Sequence, residues 1–218
     1  MTNIEQILEN ALNNGKVQHP AGHFLDVKAN ISRANSEALR KFVRDLQPEL
    51  VVEIGMAHGV STLSILDSLN ANGHGRLISI DPYLGWPTGR LVALHQIERA
   101  GVQSLHQHLH EPSYTGLPRL IDQGLKADLV YIDGNHDYDY VFTDFFLSDK
   151  LLAEGGVIGF NDAGWRSVYR VIRYIRRHLG YKELDVDLPR VYRSRNPIFS
   201  MIKRLEGRST YDRYFRKP

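Results

Sequence analysis

Short apolar segments alternate along the chain with longer segments in which apolar residues recur at helical spacing. Four of the short segments are strongly apolar, namely Leu50–Ile54, Arg76–Ile80, Asp128–Ile132 and Val157–Phe160, and a fifth, Val102–Leu109, is more polar. Each is followed by a loop and then by apolar positions three and four residues apart, a pattern typical of amphipathic helices. Five strand–helix alternations predict a Rossmann-like, doubly wound α/β sheet that is mostly parallel, with helices on both faces.

The segments before and after this alternation complete the predicted architecture. Residues 3–13 have the spacing of a helix, and residues 16–31, with Pro20 and Gly22, predict a loop that crosses the surface. Residues 181–195 predict two closing strands, which bring the sheet to seven. The predicted parts are an N-terminal helix with a covering loop at 1–34, the sheet domain at 35–195 and a basic C-terminal tail at 196–218.

Composition excludes several classes of protein. The chain of 218 residues contains no cysteine, so disulfides, thiolate metal sites and cysteine nucleophiles are excluded. Residues 1–14 carry acids and amides rather than the basic and apolar regions of a secretory signal. No apolar run approaches the roughly 18 residues of a membrane span. We therefore expect a cytoplasmic protein.

Positive charge is concentrated towards the C-terminus, although the net charge of the whole chain is only +2. Residues 190–218 hold nine Lys and Arg against two acids, and residues 166–177 hold five Arg. Because neither an aromatic stacking platform nor an RNA-binding motif accompanies these charges, they favour an anionic small-molecule or sugar acceptor over nucleic acid or a membrane. Solvated ion pairs and a homodimer formed through the terminal segments are the alternatives.

Acids, amides and glycines follow the predicted strands at their carboxyl ends, where open α/β sheets bind ligands. These residues are Glu53, Gly55, Gly59, Asp81, Asp133, His136, Asn161 and Asp162. The first glycine loop is not the dinucleotide fingerprint, because Ala57 and His58 interrupt that pattern. Asp81 follows the neighbouring strand, where a carboxylate can accept hydrogen bonds from both hydroxyls of a ribose. The alternative for Asp81 is a turn-forming residue before Pro82.

Four ordered motifs carry a resemblance to a known family. VEIGMAHGVST at 52–62, IDPY at 80–83, YIDGNHDY at 131–138 and GGVIGFND at 155–162 resemble the motifs of class I S-adenosylmethionine-dependent methyltransferases. The closest resemblance is to the small-molecule O-methyltransferase branch, which includes catechol-type and macrolide-sugar enzymes. The resemblance implies O-methylation of a hydroxyl on a sugar or other small metabolite.

The resemblance also implies a role for each motif residue. It implies S-adenosyl-L-methionine binding by Glu53, Gly55, Ala57, Gly59, Ser61, Asp81, Pro82 and Asp133, with Glu53 near the amino group and Asp81 on the ribose. It implies Mg²⁺ binding by Asp133, Asn161 and Asp162, whose oxygens suit a hard cation. Asp162 as a helix cap and Asp133 as a turn residue are the alternatives to a metal site.

His136 is the candidate general base, with Asp133 beside it. An imidazole titrates near neutral pH, so it can accept the proton of an attacking hydroxyl. Two other functions remain open from the residues alone, an NAD(P)-dependent oxidoreductase on a Rossmann-like sheet and a non-catalytic cofactor-binding module.

Overall fold

The computed structural model describes residues 3–28, 31–189 and 211–218. The helices are α1 (Asn3–Asn14), α2 (Arg33–Leu46), α3 (Val60–Asn72), α4 (Pro87–Ala100), α5 (Ser113–Asp122), α6 (Tyr138–Leu151) and α7 (Arg166–His178). The strands are β1 (Lys16–Gln18), β2 (Phe24–Asp26), β3 (Leu50–Ile54), β4 (Arg76–Ile80), β5 (His106–Leu109), β6 (Ala127–Ile132), β7 (Leu152–Phe160), β8 (Lys182–Glu183) and β9 (Arg213–Arg216).

A seven-stranded sheet of order β5-β4-β3-β6-β7-β9-β8 forms the centre of the molecule. The five strands from β5 to β7 are parallel, whereas β9 runs antiparallel to both of its neighbours. Buried side chains of α1 to α4 pack on one face of this sheet, and those of α5 to α7 pack on the other. The predicted Rossmann-like, mostly parallel, seven-stranded fold is confirmed.

Four local predictions differ from the structure, the first being β7, which begins at Leu152 rather than at Val157. Residues 16–31 are not entirely loop, because β1 and β2 pair as a short antiparallel hairpin. Residues 103–105 form a 3₁₀ helix, so the predicted strand Val102–Leu109 is reduced to β5. Of the predicted closing pair at 181–195, residues 181–189 contribute only β8, and residues 190–195 lie outside the described residues.

The remaining strand of the sheet comes from the end of the chain. β9 lies between β7 and β8, within the segment that the sequence assigned to a basic tail, whereas residues 196–210 lie outside the described residues. Tyr214 and Phe215 are fully buried on opposite faces, while arginines flank them on both sides. Two apolar residues between arginines show no strand periodicity, so local sequence did not reveal β9.

Backbone hydrogen bonds align the carboxyl ends of the central strands. The N–H of Gly55 donates to Ile80 at 2.9 Å, that of Asp133 to Ile54 at 2.8 Å, and that of Asn161 to Ile132 at 2.9 Å. These bonds extend the parallel ladder past the strands, so the residues that follow β3, β6 and β7 lie side by side. In the described ranges, no helix is long and apolar enough to cross a membrane.

Candidate active site

A cavity of about 290 Å³ opens at the carboxyl ends of β3, β6 and β7. Seven residues singled out in the sequence line it, namely Gly55, Ala57, Ser61, Asp133, His136, Asn161 and Asp162. The rest of the lining consists of Ile31, Met56, Val60, Gly134 and Trp165. Parallel α/β sheets bind ligands at this edge, so the cavity is the candidate active site.

Gly55 makes the turn after β3 sterically feasible. Its φ of +87° lies in the left-handed region, and a Cβ at this position would overlap the backbone carbonyl of Asp133. Only glycine avoids both problems. The backbone of the glycine loop can therefore lie directly against the end of β6.

The N-terminus of α3 faces the cavity without a side-chain cap. Gly59 is the N-cap, with φ of +81° and no side-chain hydrogen bond to the helix, and Val60 and Ser61 line the cavity. The first N–H groups of a helix have no partner within the helix, so they can bind a carboxylate or phosphate. Gly59 itself lies behind the lining, where a Cβ would meet Ala93 at 3.3 Å.

Asp81 supports the glycine loop from outside the cavity lining. Its Oδ2 accepts hydrogen bonds from the N–H of Met56 at 2.9 Å and of Ala57 at 3.1 Å. Its Oδ1 accepts from the N–H of Tyr83 at 2.8 Å. Pro82 is also outside the lining. Asp81 thus fixes the loop, and its contact with a ribose stays a prediction.

Glu53 is fully buried beneath the loop rather than exposed to the cavity. Its Oε2 accepts hydrogen bonds from the hydroxyls of Thr62 and Ser79, each at 2.7 Å. Burial raises the pKa of Glu53 to about 7. These bonds tie α3 to β3 and β4, and the predicted contact with the amino group of the cofactor stays a prediction.

His136 lies between two carboxylates in the cavity. Its Nε2 is 3.6 Å from Asp162 Oδ2 and 3.9 Å from Asp133 Oδ1, and its ring packs on Trp165 with 5.1 Å between ring centres. Nε2 is buried and has no hydrogen-bond partner among the described residues. Burial lowers the pKa of His136 below its usual value, so the imidazole is neutral at pH 7 and can accept a proton.

Negative charge converges on Asp133. Burial raises the pKa of Asp133 well above its ordinary value, and the carboxylates of Asp212 and Asp162 act in the same direction. Asp162 has a φ of +50°, a strained backbone conformation for a residue other than glycine. Such strain is found at functional sites, where surrounding structure holds it in place.

Asp212 contributes to this site without having been predicted. It lies directly before β9, is completely buried, and accepts a hydrogen bond from Asn161 Nδ2 at 2.9 Å. Burial raises the pKa of Asp212 to about 7. Its local sequence carries no recognisable signal, because the contact joins residues 51 positions apart.

The site geometry agrees with a comparison against known families. Residues 52–163, just over half of the chain, match the family Methyltransf_24, described as a methyltransferase domain. The chain belongs to this methyltransferase family. The predicted membership in the class I S-adenosylmethionine-dependent methyltransferases is thereby confirmed. No curated protein matches the sequence of this methyltransferase.

Solved structures share the fold of this methyltransferase at low sequence identity. An O-methyltransferase from Bacillus cereus in complex with SAH has a TM-score of 0.68 and 19% identity, covering 99% of this chain and 90% of that one. The O-methyltransferase TomG from Streptomyces achromogenes, in complex with SAM, has a TM-score of 0.64 and 18% identity. The match covers 88% of this chain and 83% of that one. A putative O-methyltransferase from Klebsiella pneumoniae has a TM-score of 0.62 and 19% identity. The match covers 83% of this chain and 80% of that one.

The three predicted Mg²⁺ ligands of this methyltransferase, Asp133, Asn161 and Asp162, all line the cavity. Within residues 3–28, 31–189 and 211–218, no group of three or more His, Asp or Glu side chains is arranged to hold one. The Nδ2 of Asn161 is already bonded to Asp212, which leaves only its carbonyl oxygen as a ligand. The Mg²⁺ site at Asp133, Asn161 and Asp162 stays a prediction.

The N-terminal segment of the methyltransferase contacts the glycine loop at His58. The N–H of Lys28 donates to His58 Nδ1 at 3.0 Å, and the His58 ring packs on Trp86. Ile31 then lines the cavity. The spacing of apolar residues could not have indicated this contact, because it joins a loop to a loop.

Proposed function

We propose that this methyltransferase transfers the methyl group of S-adenosyl-L-methionine to a hydroxyl of a sugar or other small metabolite. The observation that carries the proposal is the buried Nε2 of His136, which has no hydrogen-bond partner among the described residues and lies in the same cavity as the glycine loop and the N-terminus of α3. The SAH and SAM complexes of the similar O-methyltransferases support the choice of cofactor. Family membership argues against the oxidoreductase alternative.

Bound S-adenosyl-L-methionine would supply an electrophilic methyl group, which the acceptor oxygen takes in line as the carbon–sulfur bond breaks and the neutral thioether leaves as S-adenosylhomocysteine. Val60 and Ser61, in the first turn of α3, would hold the cofactor carboxylate with their backbone N–H groups, and Gly55 would leave room for it. His136 Nε2 accepts the proton of the attacking hydroxyl. Asp162, whose Oδ2 lies 3.6 Å from Nε2, then stabilises the protonated ring electrostatically.

Binding of the cofactor is the first expected result. Calorimetry should detect S-adenosylmethionine and S-adenosylhomocysteine at micromolar concentrations, because the cavity offers both a close backbone approach and free helix N–H groups. NADH serves as the matched control and should not bind. The proposal is wrong if neither sulfur nucleoside binds, or if NADH binds more tightly. Binding without transfer to any acceptor would support the non-catalytic alternative.

We further propose that the acceptor carries negative charge, as a nucleotide sugar or the end of an anionic polysaccharide does. Four arginines, Arg166, Arg170, Arg173 and Arg177, are exposed on the side of α7 opposite its buried residues. No ion pair joins any of the four to an acid among the described residues. This arginine stripe spans roughly 16 Å and begins directly after Trp165, a cavity residue.

Reversing charge in the arginine stripe should weaken binding of an anionic sugar. For the double variant Arg166→Glu/Arg170→Glu, we expect the Kd of uridine diphosphate glucose to rise about tenfold at low salt, since phosphate binding is largely electrostatic. Arg44→Glu/Arg76→Glu, on exposed arginines far from α7, is the matched control. Equal weakening by both variants contradicts the proposal, as does tighter binding to anionic phospholipid vesicles than to the sugar. The homodimer and the cytoplasmic location remain predictions.

A further inference from the structure

A buried carboxylate from the C-terminal segment lies behind the active-site cavity. Asp212 is completely buried and accepts three side-chain hydrogen bonds. The donors are the hydroxyl of Tyr131 at 2.8 Å, the hydroxyl of Tyr214 at 3.1 Å and Nδ2 of Asn161 at 2.9 Å. Burying a carboxylate costs free energy unless hydrogen-bond donors surround it, so the three donors are what allows Asp212 to be buried here.

The hydrogen bonds of Asn161 determine which end of its amide faces the cavity. Its Nδ2 donates to Asp212 Oδ1 at 2.9 Å and lies 3.3 Å from the hydroxyl oxygen of Tyr131. Both amide protons are therefore used on the side away from the cavity. Donors occupy both oxygens of Asp212, Asn161 on Oδ1 and the two tyrosine hydroxyls on Oδ2, so the carboxyl acts as an acceptor and disfavours the flipped orientation of the amide.

We infer that Asp212 is a positioning residue, which makes Asn161 present its carbonyl oxygen rather than its amide protons to the cavity. Asn161 then forms a wall of acceptor oxygens with Asp162, beside Asp133. Such a wall selects an acceptor molecule that donates hydrogen bonds, as a hydroxyl or a vicinal diol does. This inference rests on the proposed transfer to a hydroxyl. It adds Asp212 as the group that determines the specificity of the enzyme for a hydroxyl.

Main-chain pairing holds Asp212 in place. The residue after it, Arg213, pairs with Phe160 in the antiparallel register of β9 and β7, so Asp212 lies opposite the start of the Asn161 turn. The N–H of Asp212 also donates to Asn35 Oδ1 at 3.3 Å, which connects it to α2. The C-terminal strand therefore completes the active site, and Asp212 is held by more than its own side chain.

The variant Asp212→Asn tests this role, since an asparagine can also donate and would permit the amide of Asn161 to flip. We expect kcat/KM for the methyl acceptor to fall at least about tenfold, while the Kd of S-adenosylhomocysteine stays within about twofold. Tyr214→Phe is the matched control, because it removes one hydrogen bond to Asp212 and leaves Asn161 in place. Its kcat/KM should remain near that of the wild type.

Exchanging the two partners should restore activity. In Asn161→Asp/Asp212→Asn, the new carboxylate accepts from the new amide and still turns an oxygen to the cavity, so we expect kcat/KM to return to within about threefold of the wild type. The inference is overturned if Asp212→Asn retains full activity. It is also overturned if Asp212→Asn loses cofactor affinity in parallel with turnover, or if Tyr214→Phe loses as much turnover as Asp212→Asn.

A spectroscopic measurement separates this inference from the proposed function. The side-chain amide signals of Asn161, assigned by their loss in Asn161→Asp, should be protected from solvent exchange in wild type and Tyr214→Phe. In Asp212→Asn the protection should be lost. If no acceptor is methylated but this protection follows the expected pattern, the proposed transfer is wrong and the orientation of Asn161 is right. Unprotected amide protons in the wild type would refute the orientation itself.

Discussion

Replacement of His136 by alanine is expected to lower kcat by about 10²- to 10⁴-fold, the usual contribution of a general base. The affinity for S-adenosylhomocysteine should stay within about twofold, since the ring packs on Trp165 beside Asp162 rather than on the glycine loop. Single-turnover methyl transfer and calorimetry measure the two quantities. His178→Ala, on an exposed histidine at the end of α7, is the matched control and should leave both unchanged.

The pH dependence of turnover follows from the same residue. Burial lowers the pKa of His136 below the usual 6.5, so its neutral form, which accepts the proton, predominates at pH 7. The contribution of His136 to turnover should therefore be present above neutral pH and be lost as the pH falls through this lowered pKa. The ratio of wild-type to His136→Ala turnover separates this contribution from the other titrating groups of the site, and an acid midpoint of that ratio above pH 6.5 would contradict the assignment.

Catalysis by a Mg²⁺ ion at the predicted site is the alternative to general-base catalysis by His136. If EDTA abolishes turnover and Mg²⁺ restores it, while His136→Ala retains activity, the metal prediction is right and the general-base assignment is wrong. If EDTA has no effect and Asp162→Ala still turns over, the metal prediction fails. Asp162 then acts by stabilising the protonated ring of His136.

Substitution of Gly55 by alanine is expected to destabilise the fold by roughly 3 to 5 kcal/mol and to abolish cofactor binding. Two effects add, because the φ of +87° disfavours any Cβ and the added methyl overlaps the Asp133 carbonyl. The resulting displacement would move the end of β6, which carries Asp133 and leads to His136. Urea unfolding gives the stability, and calorimetry with S-adenosylhomocysteine gives the binding.

Gly101→Ala isolates the steric part of this effect. Gly101 ends α4 with a φ of +75°, close to that of Gly55, but a Cβ there meets nothing within 4 Å. Its cost should be only the roughly 1 to 2 kcal/mol of the left-handed conformation, with cofactor binding intact. Equal losses for the two variants would show that the contact between β3 and β6 is unimportant.

Local sequence was sufficient to predict where the strands that form the cavity end. β3 and β4 have the bounds that their apolar runs predict, because strands buried on both faces are mostly apolar, and here only Glu53 and Ser79 are buried polar residues. The parallel topology then places whatever follows each strand at one edge of the sheet. That is why Gly55, Asp133 and Asn161 could be assigned to one site before any distance was known.

The tertiary structure decided what those residues do there. Whether Asp81 faces a ligand or the loop, and which end of the Asn161 amide faces the cavity, depend on hydrogen bonds between segments distant in sequence. Periodicity reports burial and strand direction, which are local properties, but it contains no information about partners from elsewhere in the chain. Asp212 and β9 belong to this second class, since their burial arises only when the C-terminus inserts beside β7.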